Sequence, residues 1–340
     1  MTARADQIVH FLTQNGWSSA RRAPLAGDAS ARKYERLTML DGKKSVLMDA
    51  APEAGQTTAP FVDMARHLTA LGVSAPDIYA ADTHRGLLLI EDLGDDLFAR
   101  MVTQNSQLER PLYEAAADVL TNLHKRPAPT GLATMDAQTL GDMIEPVFSW
   151  YVASADREWQ KPWAMFQEQI HPILVEHIGV PDTLVLRDYH AENLLWLPDR
   201  KGIARVGVLD FQDALLGHKA YDLVSLLQDA RRDVPIEVES HIKSYFVRAS
   251  DLDPEAFDIA YSLLGAQRNL RIIGVFARLC MHYGKPHYVD MIPRVYDLAM
   301  RNLQHPLLKG PAELLSSVLP APTPDLLENL KTKCATVPTP

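Results

Sequence analysis

LVLRDYHAENLLWLPDRKGIARVGVLDFQDA, residues 184–214, is the stretch that decides the fold. Two apolar runs, 194–197 and 205–209, flank Pro198-Asp199-Arg200-Lys201-Gly202 and predict a hairpin centred near Lys201. That hairpin brings Asn193 and Asp210 to face each other at its open end, with Asp188 on the loop leading into it. Singly, each residue is an ordinary cap, turn or surface ion pair. Together they form an oxygen donor set of the kind Mg²⁺ shares with water and phosphate. Phosphoryl transfer needs this set, with Asn193 and Asp210 on the metal and Asp188 taking the proton of the attacking hydroxyl.

Outward from this segment the chain changes character along its length. Residues 4–15 predict an amphipathic helix stopped by Gly16. Strand-like runs at 32–39 and 45–49 flank Asp41-Gly42, a hairpin signal, and strands at 77–81 and 86–90 follow a helix over 60–71. After Glu91-Asp92-Leu93-Gly94 the pattern is mostly helical: a helix over 111–124, others between 139 and 178, and further helices from 219 to about 304. Six of the 23 prolines fall in the last thirty residues, which predict a loosely held, extended tail with one short helix near 324–332. The expected division is 1–91, β-rich; 92–310, mainly helical; and 311–340, a Pro-rich tail.

Composition narrows the function classes. With 34 Lys+Arg against 43 Asp+Glu, the net charge of −9 disfavours non-specific nucleic-acid binding and adsorption to anionic membrane. Two cysteines, Cys280 and Cys334, are too few for a disulfide framework or a multi-thiolate zinc site. No run approaches the ~18 apolar residues of a membrane span, and the opening residues lack the apolar core of a secretory leader. A cytoplasmic protein is expected, with a small molecule and neither nucleic acid nor membrane as partner.

RDYHAEN followed by LDFQDA resembles the catalytic and metal-binding loops of the aminoglycoside phosphotransferase/choline kinase superfamily, relatives of protein kinases. The resemblance implies a protein-kinase-like, two-lobed α+β fold with ATP in the cleft between lobes, 1–91 being the nucleotide-binding lobe and 92–310 the catalytic and substrate-binding lobe. It implies Asp188 as catalytic base, Asn193 and Asp210 as Mg²⁺ ligands, and Glu91 to Leu93 as the hinge whose backbone receives adenine. It also implies a supporting role for Asp222. GDASARKYERL, VLMDAAP, LLLIEDLGD, GVLDFQDALLGHKAYDLVSLLQDAR and QRNLRIIGVFARL add a resemblance to one branch, the bacterial anomeric kinases of N-acetylmuramate and N-acetylglucosamine in cell-wall sugar recycling. The remaining alternatives are a phosphotransferase for aminoglycosides or other small alcohols, and a nucleotide-binding pseudokinase.

Gly27, Asp28, Ala29 and Ser30, small residues between two strands, are the candidate loop over the phosphates. The sequence departs from the kinase pattern at Asp49, where the third strand of a kinase carries a phosphate-binding lysine, and at Leu186, where protein kinases have a packing histidine. A substitute cation is expected from Arg32, Lys33 or Arg36; Arg32 and Arg36 share strand parity and face either the cleft or solvent. Asp49 then pairs with one of the arginines or helps bind metal. His190 and Asp213 are candidate substrate contacts. Arg268, Arg271 and Arg278 share one side of a helix and either balance the chain's acids or meet a sugar carboxylate. Trp150 stacks on the sugar or packs inside.

Overall fold

In a computed structural model, which describes residues 3–25, 32–52, 55 and 57–338, the chain forms a two-lobed α+β fold of two compact units. One comprises residues 1–119 and 191–214, the other 120–190 and 215–340. The division therefore falls well after residue 91, and the 191–214 hairpin belongs with the N-terminal residues.

In the first unit, α1 (Ala3–Gln14) presents Ile8, Phe11 and Leu12 to one face of a five-stranded antiparallel sheet. These side chains and Trp17 pack with Leu37, Leu47, Leu87 and Leu89, as the alternation of the strands requires. The strands are β1 (Arg21–Leu25), β2 (Lys33–Thr38), β3 (Lys44–Asp49), β4 (Ile78–Asp82) and β5 (Leu87–Ile90), in the order β1-β2-β3-β5-β4, with α2 (Ala59–Ala70) between β3 and β4. Gly86 opens β5 at φ +65°, and a Cβ there would run into the Ala50 carbonyl, so only glycine fits. Short α3 (Phe98–Gln104) follows, then α4 (Glu109–Leu123), along which the chain passes from one unit to the other.

The second unit is mostly helical. It contains α5 (Ala137–Asp142), a π-helical segment over Val147–Val152, and α6 (Gln160–Ile178). A small pair of strands follows, β6 (Thr183–Val185) with β9 (Leu215–Gly217). Between them in sequence, β7 (Leu194–Trp196) and β8 (Val206–Val208) form the hairpin of the first unit. Beyond β9 come α7 (Ala220–Leu227), α8 (Ile236–Ala249), α9 (Pro254–Met281), α10 (Ile292–Asn302), α11 (Lys309–Val318) and α12 (Pro324–Thr332). Asp253 caps α9, accepting the Ala256 N–H at 2.7 Å, and Pro254 occupies the first turn, where its missing donor costs nothing. Gly274 lets α9 approach the Pro146 backbone, where any side chain would collide.

The C-terminal residues correct the expectation of a loose tail. The helix at 324–332 forms, Leu330 is fully buried, and the Cys280 and Met281 carbonyls accept the Ala335 and Val337 N–H groups, each at 3.1 Å. The Lys331 ammonium adds an ion pair with Asp290 at 2.6 Å. Prolines start or interrupt these short helices without preventing their docking.

Two partly buried histidines make the second unit acid-sensitive. Burial, reinforced by Lys219, pushes His124 down to about 3, and its ring packs edge-on to Phe246 at 5.8 Å. Burial and Lys219 likewise hold His218 near 4. Both folded-state values lie below the unfolded value of 6.5, so between these limits the unfolded chain binds more protons and stability falls as pH falls. Each group steepens that slope by up to about 1.4 kcal/mol per pH unit. Melting curves of His124→Phe at pH 7.5 and pH 5 are expected to show a smaller loss on acidification than the unsubstituted protein. An unchanged difference would contradict this account.

Candidate active site

In the second unit, β6 runs into Leu186, Arg187 and Asp188, and α7 supplies the groups that hold this turn. The buried Asp222 carboxylate accepts the Leu186 N–H at 2.7 Å and the Arg187 N–H at 2.9 Å. Ser225 Oγ donates to the Arg187 carbonyl at 3.2 Å, and the Asp188 N–H donates to Leu186 O at 3.0 Å. Arg187 sits at φ +72°, a conformation a non-glycine residue keeps only where its surroundings over-determine it. Consecutive peptide units leading to Asp188 are thus fixed from below. Burial raises Asp222 to about 7, against the opposing pull of its two N–H donors and of Arg268.

His190, expected as a substrate contact, is instead buried, and its Nε2 lies 3.2 Å from Arg231 Nη1. Burial, with Arg231 and Arg268, lowers its pKa far below 6.5, so the neutral ring accepts the guanidinium N–H. Of the three α9 arginines, Arg268 is only 7% exposed, donates to Ser225 Oγ at 2.5 Å, and lies 5.9 Å from the centre of the Tyr221 ring. Arg271, partly exposed, donates to Tyr221 Oη at 3.3 Å. Trp150, expected either to stack on the sugar or to pack inside, is 3% exposed and packs against His282 at 6.1 Å in the core, which leaves no open face for a sugar.

The first unit holds the other candidates. The β7–β8 register pairs Leu194 with Val208 and Trp196 with Val206, which centres the hairpin on Lys201. Continued outward, this register sets Asn193 opposite Leu209, whose N–H donates to Asn193 O at 2.9 Å. Asp210 therefore lies one residue beyond the facing position expected, at φ +57°. Phe211 anchors it by stacking on Phe61 of α2, ring centres 4.9 Å apart. The Gln212 side-chain amide donates to Asp210 Oδ1 at 2.7 Å and to Asp213 Oδ2 at 3.2 Å. Asn193 and Asp210 are hard oxygen donors at the ends of adjoining strands, which suits Mg²⁺.

The cations near the hinge sort themselves by partner. Asp49 pairs with Arg4 of α1 at 2.5 Å, so this acid at the lysine position is neutralised from outside the set expected. Arg36 is bound to Asp92 at 2.7 Å and Asp95 at 2.9 Å, which removes it as a phosphate ligand. Arg200 donates to Glu91 at 2.5 Å and to Ser74 Oγ at 2.6 Å, while the Glu91 N–H donates to Asp77 O at 2.9 Å. Glu91 to Leu93 are thereby clamped by two arginines. Tyr34 is pushed up to about 12, chiefly by burial; Arg32 opposes the shift and Asp210 adds to it. Arg32 is thus the candidate cation whose field reaches the surroundings of Asp210. Gly27, Asp28, Ala29 and Ser30 lie outside the described residues. Sequence reasoning gave no role to Arg4, Arg200, Ser225 and Arg231; the last three stand inside the motifs read, but the partners that fix them, Asp49 for Arg4, Glu91 and Ser74 for Arg200, Arg187 and Arg268 for Ser225 and His190 for Arg231, are distant in sequence.

Residues 21–257 match the phosphotransferase enzyme family. The chain belongs to that family. Among its relatives in the phosphotransferase family is the N-acetylmuramate/N-acetylglucosamine kinase of Caulobacter vibrioides, 40% identical over 84% of this chain and 88% of the relative. The Pseudomonas aeruginosa protein of the same name is 32% identical over 92% and 93%. Phosphotransferase folds among solved structures agree. A Plasmodium vivax ethanolamine kinase superposes with a TM-score of 0.60 at 11% identity, covering 90% of this chain and 87% of that one. A macrolide 2'-phosphotransferase from Brachybacterium faecium gives 0.54 at 15%, covering 88% and 99%. No helix among the described residues is long and apolar enough to cross a membrane.

Proposed function

We propose that this phosphotransferase moves the γ-phosphoryl group of ATP to the anomeric hydroxyl of N-acetylmuramate and N-acetylglucosamine, in the cytoplasm. Similarity along most of both chains to four relatives bearing that name, at 32–40% identity, carries the reading. Asp188 orients the C1 hydroxyl and accepts its proton on a carboxylate oxygen. Asn193 and Asp210 hold Mg²⁺, whose charge, when it is bound, offsets that of the phosphates. The backbone of Glu91 to Leu93 receives adenine, and Gly27, Asp28, Ala29, Ser30 and Arg32 bind the phosphates. Catalysis is mainly positioning and electrostatic stabilisation, because a loose transition state asks little covalent work of the protein.

Asp213 and Arg271 are the proposed sugar contacts, with Arg271 matched to the lactyl carboxylate that N-acetylmuramate has and N-acetylglucosamine lacks. Loss of a charge-assisted hydrogen bond costs about 1.5–3 kcal/mol, or roughly 10- to 100-fold. Steady-state kinetics of Arg271→Gln are expected to show KM raised by that factor for N-acetylmuramate and little changed for N-acetylglucosamine. Equal loss on both sugars would rule out the carboxylate contact.

A further inference from the structure

Arg268 looks, by its place on α9, like a partner for substrate, yet its surroundings point elsewhere. Its Nη2 donates to Ser225 Oγ, and a hydroxyl that accepts there has its single proton directed onward, here to the Arg187 carbonyl. That carbonyl belongs to the peptide unit whose other end is the Asp188 N–H, itself held by Leu186 O. Both ends of the peptide preceding the Asp188 side chain are therefore fixed, one of them through Arg268. The charge of the same guanidinium also bears on Asp222, whose carboxylate holds the two preceding N–H groups. Ser225 and Asp222 are buried, so no water substitutes for these bonds.

We propose that Arg268 is a positioning residue for the catalytic loop: acting through Ser225 and Asp222, it holds the Arg187–Asp188 peptide in the orientation that presents the Asp188 carboxylate to the acceptor. This rests on the reading of Asp188 as base. The groups that bear on Asp222 are the Leu186 and Arg187 N–H donors, the Arg268 cation on α9, and the Asp188 anion on the loop. Of the two charges, Arg268 favours the ionised form that accepts both N–H groups, and Asp188 disfavours it. Removing Arg268 frees the Ser225 hydroxyl to turn and moves Asp222 toward its protonated form, so the loop loses both tethers together.

Arg268→Met keeps the length of the side chain and discards its charge. Its kcat is expected to fall about tenfold or more on both sugars alike, with each KM moving less than about threefold. The acid limb of its pH profile moves to higher pH, and Arg268→Lys restores part of kcat. Ser225→Ala is expected to lower kcat with the acid limb unmoved, since the Arg268 charge still bears on Asp222. A loss confined to N-acetylmuramate through KM would overturn the proposal by making Arg268 a carboxylate contact. Unchanged kcat in Ser225→Ala, or a lowered melting temperature in Arg268→Met with normal kcat, would overturn it in favour of packing. Turnover retained by Asp188→Asn strikes the base assignment instead, and the Arg268 variants, with Asp188 intact, do not depend on that result to be read.

Discussion

Asp188→Asn is expected to lower kcat by about 10³-fold, within the range general-base catalysis supplies, while ATP binding stays close to normal. The amide keeps the volume and one acceptor oxygen, so the turn at 186–188 has no reason to rearrange. It cannot take a proton from the acceptor hydroxyl. A second consequence follows from Asp222, which burial, with a smaller contribution from the Asp188 anion, pushes up to about 7. Removing that anion relieves repulsion between two carboxylates, so the variant is expected to melt at the same temperature as the parent or higher. Single-turnover kinetics, nucleotide titration and a melting curve on one preparation check all three points. Undiminished turnover would remove Asp188 from the role of base.

Asp222→Asn carries the next largest effect. The carboxylate now accepts two N–H groups; an amide offers one oxygen and sets an NH₂ against the other donor. An orphaned buried N–H costs about 1–3 kcal/mol. Arg187 at φ +72° loses the restraint that offsets about 1–2 kcal/mol of backbone strain. Expected losses are about 5 °C in melting temperature and about 100-fold in kcat as Asp188 moves out of register. Unlike Asp188→Asn, this variant loses both stability and rate. A variant that keeps both would show that α7 does not hold the loop.

The parts of this site legible in the sequence are those set by short-range pattern. The hairpin centre near Lys201 follows from two apolar runs and the turn residues between them, and β7 and β8 pair about that point. The one-residue difference at Asp210 arises because such runs give the centre of a hairpin better than where its ladder stops. Arg268 and Arg271 lie on one side of α9, as their spacing requires, but that side is not simply solvated. Arg268 lies against α7, a fact that helical periodicity does not contain. The same holds for Asp49, whose partner Arg4 is 45 residues away, and for Arg36, whose acids are 56 and 59 away. The change to helical character after Leu93 marks a change of secondary structure, whereas the compact units divide near residue 119 because packing follows contacts across the chain. Proline content suggested a loose C-terminus, but the apolar Leu315, Leu319 and Leu330 decide that it docks.

The most direct test of the account is the ³¹P spectrum of the product formed from ATP and N-acetylmuramate. Phosphorylation at C1 gives a glycosyl phosphate, whose phosphorus couples to the single anomeric proton and whose ester is cleaved by mild acid. The account predicts that acid-labile doublet, absent in Asp188→Asn, and the corresponding signal with N-acetylglucosamine. An acid-stable phosphomonoester at another carbon, or no sugar phosphate from either sugar, would contradict it.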